Sequence, residues 1–381
     1  MRRVALLAVQ IVLIIHRASG FVGSACAKPK NQAITPPKTS GSFIAEGRGQ
    51  SEPQPLHVLS SASSPTSSLS ASAAAGDGST MATPLSDLEL KSENVCFGGR
   101  LLRYVHQSKS TKTPMTFTVF LPPQASEDAP VPVLYYLSGL TCTDENFIQK
   151  AGAQRTAAQR GIALVAPDTS PRGAGTAGED ESWDFGTAAG FYVDATEAGW
   201  KDHYRMYEYV TKELPEIIAA NFKVDTGRAS VFGHSMGGHG ALVVAFRNPT
   251  KYRSVSAFSA ICNPVECAWG KKAFTGYLGS DEASWREYDA TELMRRDGPF
   301  PSLGKILLDQ GSADIFLKDG QLNPETLVKA CEEKGQPSEL RIQEGYDHSY
   351  FFISSFVEDH INMHADRLLE KSSEDSVVTA V

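Results

Sequence analysis

From residue 115 onward the chain alternates short runs rich in β-branched and aliphatic residues with longer stretches of helical patterning. The apolar runs at residues 116–121, 131–140, 162–167, 229–233, 254–259, 305–309 and 339–343 are predicted as strands. Helices are predicted over residues 145–160, 203–222, 237–247, 325–334 and 350–369. Near-continuous apolar strands alternating with helices predict an α/β fold, a mostly parallel sheet covered by helices on both faces. No repeat and no second linker interrupts residues 87–370, so this stretch reads as one domain, with 371–381 a flexible C-terminal tail.

Before residue 87 that pattern is absent. Arg2 and Arg3 precede residues 4–15, which are apolar except for Gln10. Such a run is too short to cross ~30 Å of hydrocarbon as a helix. Its basic start and the small-residue exits at Ala18-Ser19-Gly20 or Ala25-Cys26-Ala27 predict a secretory signal peptide within residues 1–27. The other reading, a buried helix of the fold, finds no partner segment after it. Ten of the thirty residues from 51 to 80 are Ser, with few acids and no hydrophobic period. A stretch of that kind cannot offset its ordering entropy, so residues 28–86 are expected to be a disordered or transit-like leader. The two together resemble the bipartite plastid leaders of algae with secondary plastids. The alternatives are a plain linker ahead of Met81, which could itself begin the product, and a cytoplasmic protein. Asn248 is followed by Pro, so no glycosylation acceptor supports secretion.

Composition narrows the class further. At 41% hydrophobic residues the chain is too apolar for wholesale disorder, and six cysteines in 381 residues are too sparse for a disulfide scaffold. A net charge of -8 argues against a nucleic-acid partner. Split at residue 80, the charge is +4 on the leader and -12 on the remainder, which makes that exclusion firmer for the folded part.

Gly233-His234-Ser235-Met236-Gly237 is a G-x-S-x-G sequence. The pentapeptide alone is a weak signal, but here an apolar strand runs into it and a small-residue helix leaves it. That is the strand–turn–helix of a nucleophile elbow, whose glycines permit the strained turn exposing the serine hydroxyl. Ser235 is therefore the candidate nucleophile, and it needs a base and an orienting acid. In an α/β-hydrolase fold these follow in the order acid, then histidine, each after a later strand. Asp314 follows the strand at 305–309, and His348 follows the strand at 339–343. Asp309 is the rival acid but sits at a strand end, and Asp347 is adjacent to His348 and would point elsewhere. Two backbone N–H groups must bind the oxyanion. Met236, after the nucleophile, supplies one, and Leu140 in the loop after the strand at 131–140 supplies the other. That loop departs from the His-Gly-Gly-Gly pattern of many lipases.

Other clusters read more blandly. His360 and His364 share a helix face, as a zinc pair requires, but lack a third ligand and are expected on a solvated face. Cys262 and Cys267 lack the second pair of a metal knuckle. Glycines at 172–178 precede no helix and suggest a mobile surface loop. Cys142, beside the oxyanion loop, is either a reactive thiol or a small buried hydrophobe.

Several longer segments resemble the S-formylglutathione hydrolase (esterase D) family. They are Leu-Ser-Gly-Leu-Thr-Cys-Thr-Asp-Glu-Asn-Phe from Leu137, Glu-Asp-Glu-Ser-Trp-Asp-Phe-Gly from Glu179, Gly-Phe-Tyr-Val-Asp-Ala-Thr from Gly190, Ile-Cys-Asn-Pro-Val from Ile261 and Lys-Ala-Phe-Thr-Gly-Tyr-Leu-Gly from Lys272. The resemblance covers residues 87–370. It implies Ser235, Asp314 and His348 as the triad, Leu140 and Met236 as oxyanion donors, and Cys142 as a thiol near the site. It further implies hydrolysis of S-formylglutathione without a cofactor, in a family whose members often form a homodimer; no metal and no membrane association of the mature protein are expected. The leader has no counterpart in the usual cytosolic members. Rival expectations are a general short-chain carboxylesterase or acyltransferase of the same fold, and a non-catalytic binding protein built on it.

Overall fold

A computed structural model of the chain describes residues 87–370. The expected signal-peptide segment 1–27, the Ser-rich leader 28–86 and the tail 371–381 lie outside the described residues. The strands are β1 (Glu89–Cys96), β2 (Gly99–Gln107), β3 (Pro114–Leu121), β4 (Val131–Leu137), β5 (Ala163–Pro167), β6 (Val224–His234), β7 (Tyr252–Phe258), β8 (Ile306–Gly311) and β9 (Ser338–Gln343). They form one sheet in the order β1-β2-β3-β5-β4-β6-β7-β8-β9. The run β5-β4-β6-β7-β8-β9 is parallel, while β1, β2, β3 and β5 pair antiparallel. The seven predicted strands are present. The β1–β2 hairpin was not predicted, because β1 reads Glu-Leu-Lys-Ser-Glu-Asn-Val-Cys, is exposed along nearly its whole length and has no apolar face to announce it.

The longer helices are α1 (Asp144–Lys150), α2 (Gln154–Arg160), α3 (Leu214–Asn221), α4 (Met236–Arg247), α5 (Ala268–Leu278), α6 (Ala290–Asp297), α7 (Pro324–Lys334) and α8 (Tyr350–Leu369). The single helix expected over 145–160 is two, since Gly152 adopts φ +72° between them. The helix expected over 203–222 is also broken. Pro215 near the start of α3 cannot donate to the Thr211 carbonyl, the preceding turn Tyr209–Glu213 widens into a π-helix, and the Lys251 ammonium takes that carbonyl instead. Helices α5 and α6 were not predicted.

Residues of β4 alternate between two apolar layers. Val133, Tyr135 and Leu137 join the layer formed with α3 to α7, and Leu134 and Tyr136 join the layer under α1, α2 and α8. In the second layer Tyr136 stacks on Phe147 at 3.6 Å between ring centroids and meets Phe232 edge-on at 4.9 Å. Burying each such ring stabilises the fold by about 1.5–3 kcal/mol.

His360 and His364 correct the expectation of a solvated face. Both are fully buried, because the face they share packs onto β7. His364 hydrogen-bonds Ser254 Oγ at 2.8 Å and Ser256 Oγ at 2.7 Å, and His360 hydrogen-bonds Ser256 Oγ at 2.8 Å and Asp309 Oδ2 at 3.2 Å. Asp309 also receives the Arg341 guanidinium, with two N–H donations of 2.6 Å. Buried polar atoms are tolerated when paired in this way.

Candidate active site

Strand β6 delivers Ser235 in a backbone conformation of φ 58°, ψ -120°, and α4 starts at the next residue. Only glycine fits on either side. A Cβ on Gly233 would lie 2.2 Å from the Gly237 carbonyl oxygen, and one on Gly237 would lie 1.9 Å from that of Leu137. The turn is pinned by Ser235 N–H donating to Phe258 O and His239 N–H donating to Ser235 O, each at 3.0 Å. This is the strained elbow that the sequence predicted, stored where a reactive side chain must project.

The loops after β8 and β9 are stitched together. Gly311 approaches so closely that a Cβ there would meet Tyr346 O at 2.3 Å, and Ala313 N–H donates to Tyr346 O at 2.9 Å. This brings His348 Nδ1 to 2.6 Å from Asp314 Oδ2. Asp314 is fully buried and also accepts from Phe316 N–H at 2.9 Å and Gln310 Nε2 at 3.1 Å. Burial pushes its carboxyl up, but the His348 hydrogen bond and charge and the Phe316 N–H outweigh that and hold it at about 2. Asp309 is committed to Arg341 and His360, and Asp347 accepts from Ser349 N–H and Oγ at 3.0 and 2.6 Å. Of the three aspartates weighed, Asp314 alone meets His348.

His234 links this pair to the nucleophile. It precedes Ser235, and its ring centroid lies 4.4 Å from that of His348. Both its ring nitrogens are buried without a hydrogen-bond partner, and burial holds it well below its ordinary value, so it is neutral. Among the described residues no hydrogen bond joins the Ser235 hydroxyl to His348. Unliganded sites often hold that contact open until substrate binds.

The loop from Ser138 to Thr143 packs against the elbow, and a Cβ on Gly139 would sit 3.1 Å from Ser235 Cβ. Leu140 N–H and Met236 N–H have no acceptor among the described residues, so both remain available to an oxyanion. Cys142 is buried, and burial pushes its thiol up to about 11, so it is neither thiolate nor nucleophile at neutral pH. Phe316 meets the His348 ring edge-on at 4.8 Å and continues through Trp269 at 4.7 Å to Trp183, another 5.7 Å on, giving the site an aromatic wall. Sequence reasoning did not find this wall, nor the contacts of Arg172. Arg172 is no free loop residue, since its guanidinium grips Asp168 and the Cys142 carbonyl. A charged pair just beyond the end of β5 was the available signal. Among the described residues no group of three or more His, Cys, Asp or Glu is placed to hold a metal ion, and no helix is long and apolar enough to cross a membrane.

Comparison with known proteins follows the same outline. Residues 108–363 match the family model described as "Putative esterase". The S-formylglutathione hydrolase of Bos taurus is 58% identical over 281 residues, covering 74% of this chain and 99% of that protein. The S-formylglutathione hydrolase of Paracoccus denitrificans is 56% identical over 280 residues, covering 74% and 98%. A solved S-formylglutathione hydrolase from Agrobacterium tumefaciens superposes with a TM-score of 0.71 at 46% identity, over 73% of this chain and 99% of that one.

Proposed function

The chain belongs to the S-formylglutathione hydrolase family of esterases, and from that premise we propose that residues 87–370 hydrolyse S-formylglutathione to glutathione and formate. Such a reaction removes the formyl group present on glutathione once the adduct of formaldehyde with its thiol has been oxidised. The observation that carries the reading is the 2.6 Å hydrogen bond between Asp314 and His348 beside the strained Ser235.

His348, oriented through Nδ1 by Asp314, takes the Ser235 proton as the hydroxyl oxygen attacks the formyl carbonyl. Negative charge forms on the carbonyl oxygen, where Leu140 N–H and Met236 N–H stabilise it; each such donor is worth about 3 kcal/mol. The C–S bond breaks and glutathione leaves with little need of acid assistance, because a thiol of this kind has a pKa of about 8.5; the proton held by His348 passes to the departing sulfur, which returns the imidazole to its neutral form. The formyl group is then carried as an ester on Ser235. His348 next removes a proton from water, the resulting attack releases formate, and the proton returns to Ser235. Asp314 stays ionised throughout, as its pKa of about 2 requires.

One observation favours a second reading, a general short-chain carboxylesterase. Ile315, the residue before Phe316, and Trp183, at the far end of the wall beyond Trp269, are exposed, so the aromatic wall offers an ordinary acyl or alcohol group an apolar surface. Rates of the full chain on S-formylglutathione and p-nitrophenyl acetate, measured side by side, separate the two. A kcat/KM larger for the thioester by two or more orders of magnitude is expected. An equal or greater preference for the simple ester overturns the thioesterase reading in favour of the second.

A further inference from the structure

The oxyanion loop is held in an unfavourable conformation by groups that take no part in the chemistry. Gly139 to Cys142 form a turn in which Cys142 N–H donates to Gly139 O at 3.3 Å, with Thr141 at φ +66° in its second central position. That position of a type II turn favours glycine, and a β-branched residue there is strained. Such strain persists only where the surroundings over-determine it. Here they do. Tyr192 Oη donates to Ser138 O at 2.8 Å, and Thr141 N–H donates to Ala188 O at 3.0 Å. The Cys142 carbonyl accepts from Thr169 Oγ1 at 2.7 Å and from Arg172 Nη2 at 3.0 Å.

Arg172 is itself fixed. Its Nε and Nη2 donate to the two oxygens of Asp168 at 2.7 and 2.8 Å, a bidentate fork. Asp168 is buried directly after β5, where its own N–H donates to Thr116 O at 2.9 Å. The consequence for Leu140 follows from peptide geometry. Gly139 C=O and Leu140 N–H belong to one planar trans unit and point in opposite directions. Whatever holds Cys142 in place fixes the direction of Gly139 O, and so aims Leu140 N–H away from it.

We propose that Arg172, anchored by Asp168, is a positioning residue for the oxyanion site, acting through the Cys142 carbonyl on the Leu140 N–H. The proposal rests on the reading of Leu140 as an oxyanion donor. Arg172 is part-exposed, so a direct role in gripping a carboxylate of the thioester substrate is the rival to remove. An ester without carboxylates removes it.

The experiment compares Arg172→Ala and Arg172→Lys with the unaltered chain on S-formylglutathione and on p-nitrophenyl acetate. Lysine keeps a charge beside Asp168 but cannot form the fork and reach Cys142 together. The expected result is a fall in kcat of about 10-fold or more on both substrates, with KM changed by less than about two-fold. Affinity for a trifluoromethyl ketone, which binds as a tetrahedral adduct, falls by the same factor as kcat/KM. Added methylguanidinium restores activity to Arg172→Ala. Unchanged kcat on p-nitrophenyl acetate, or a loss confined to KM for S-formylglutathione, overturns the proposal. Should Arg172→Ala fail to fold, Arg172→Lys decides by the same criteria, and unchanged kcat in it is equally fatal. Ser235→Ala, assayed alongside, keeps the two readings apart. Activity retained in Ser235→Ala removes the site assignment and this proposal together, whereas activity lost there but retained in the Arg172 variants removes the proposal alone.

Discussion

Asp309 and Asp314 leave the same stretch of chain, and each meets a histidine contributed from beyond β9. Asp314 pairs with His348 at 2.6 Å, and Asp309 pairs with His360 at 3.2 Å. In sequence and in contact the two pairs look alike, and the difference lies in what else each member touches. Asp309 is neutralised by Arg341, and both nitrogens of the fully buried His360 are engaged, one with Asp309 and one with Ser256. His348 spends only Nδ1 on Asp314 and keeps some solvent exposure beside Ser235, so its second nitrogen can exchange a proton. An aspartate and a histidine in contact make a catalytic pair only where one imidazole nitrogen is left open to a reacting group.

Substitution breaks the two pairs in different currencies. Asp314→Asn lowers kcat by about 10⁴-fold while the fold survives, because the amide no longer holds the required imidazole tautomer; steady-state rates and circular dichroism check both halves. Asp309→Asn does the reverse. It leaves the Arg341 charge with only the more exposed Asp359 as partner and costs about 3 kcal/mol of unfolding free energy, with kcat changed by only a few-fold. Denaturant titration and the same assay read this, and a kcat loss matching that of Asp314→Asn contradicts the division of roles.

Acid separates them more gently. Burial, above all, lowers the pKa of His106, His234, His239, His360 and His364, with His239 at about 4. As pH falls through about 6.5 the unfolded chain takes up protons that these folded rings refuse, so stability falls from there towards pH 4. Asp314 has the opposite chemistry but the same sign. Its stabilising contribution is present above about pH 3.9 and lost as pH falls towards 2. The thermal midpoint is therefore expected to decline between pH 7 and 4.5, less steeply in His360→Gln. A midpoint independent of pH over that range contradicts the assignment of these histidines as buried and neutral.

How much of this was legible beforehand depended on whether the cause was local. Gly233 and Gly237 flank Ser235 because their own backbones cannot carry a Cβ there, and that requirement is written within five residues. The meeting of Asp314 with His348 was legible because a parallel sheet gathers at one edge the loops that follow its strands. His360 and His364 were misread for the complementary reason. Their spacing correctly put them on one face of α8, but which face is buried is decided by β7, through Ser254 and Ser256 more than a hundred residues earlier. Arg172 gave only the sign of a charged neighbour at Asp168, since the carbonyl it grips lies 30 residues away in sequence. The β1–β2 hairpin escaped because β1 has no apolar periodicity to read.

The central claim is that Ser235 carries the formyl group between S-formylglutathione and water. The most direct measurement is formate release from S-formylglutathione by Ser235→Ala in the full chain, with folding checked by its thermal midpoint. A loss of about 10⁶-fold in kcat in a folded protein is expected, as for other serine hydrolases stripped of their nucleophile. Formate release within ten-fold of the unaltered chain would contradict it.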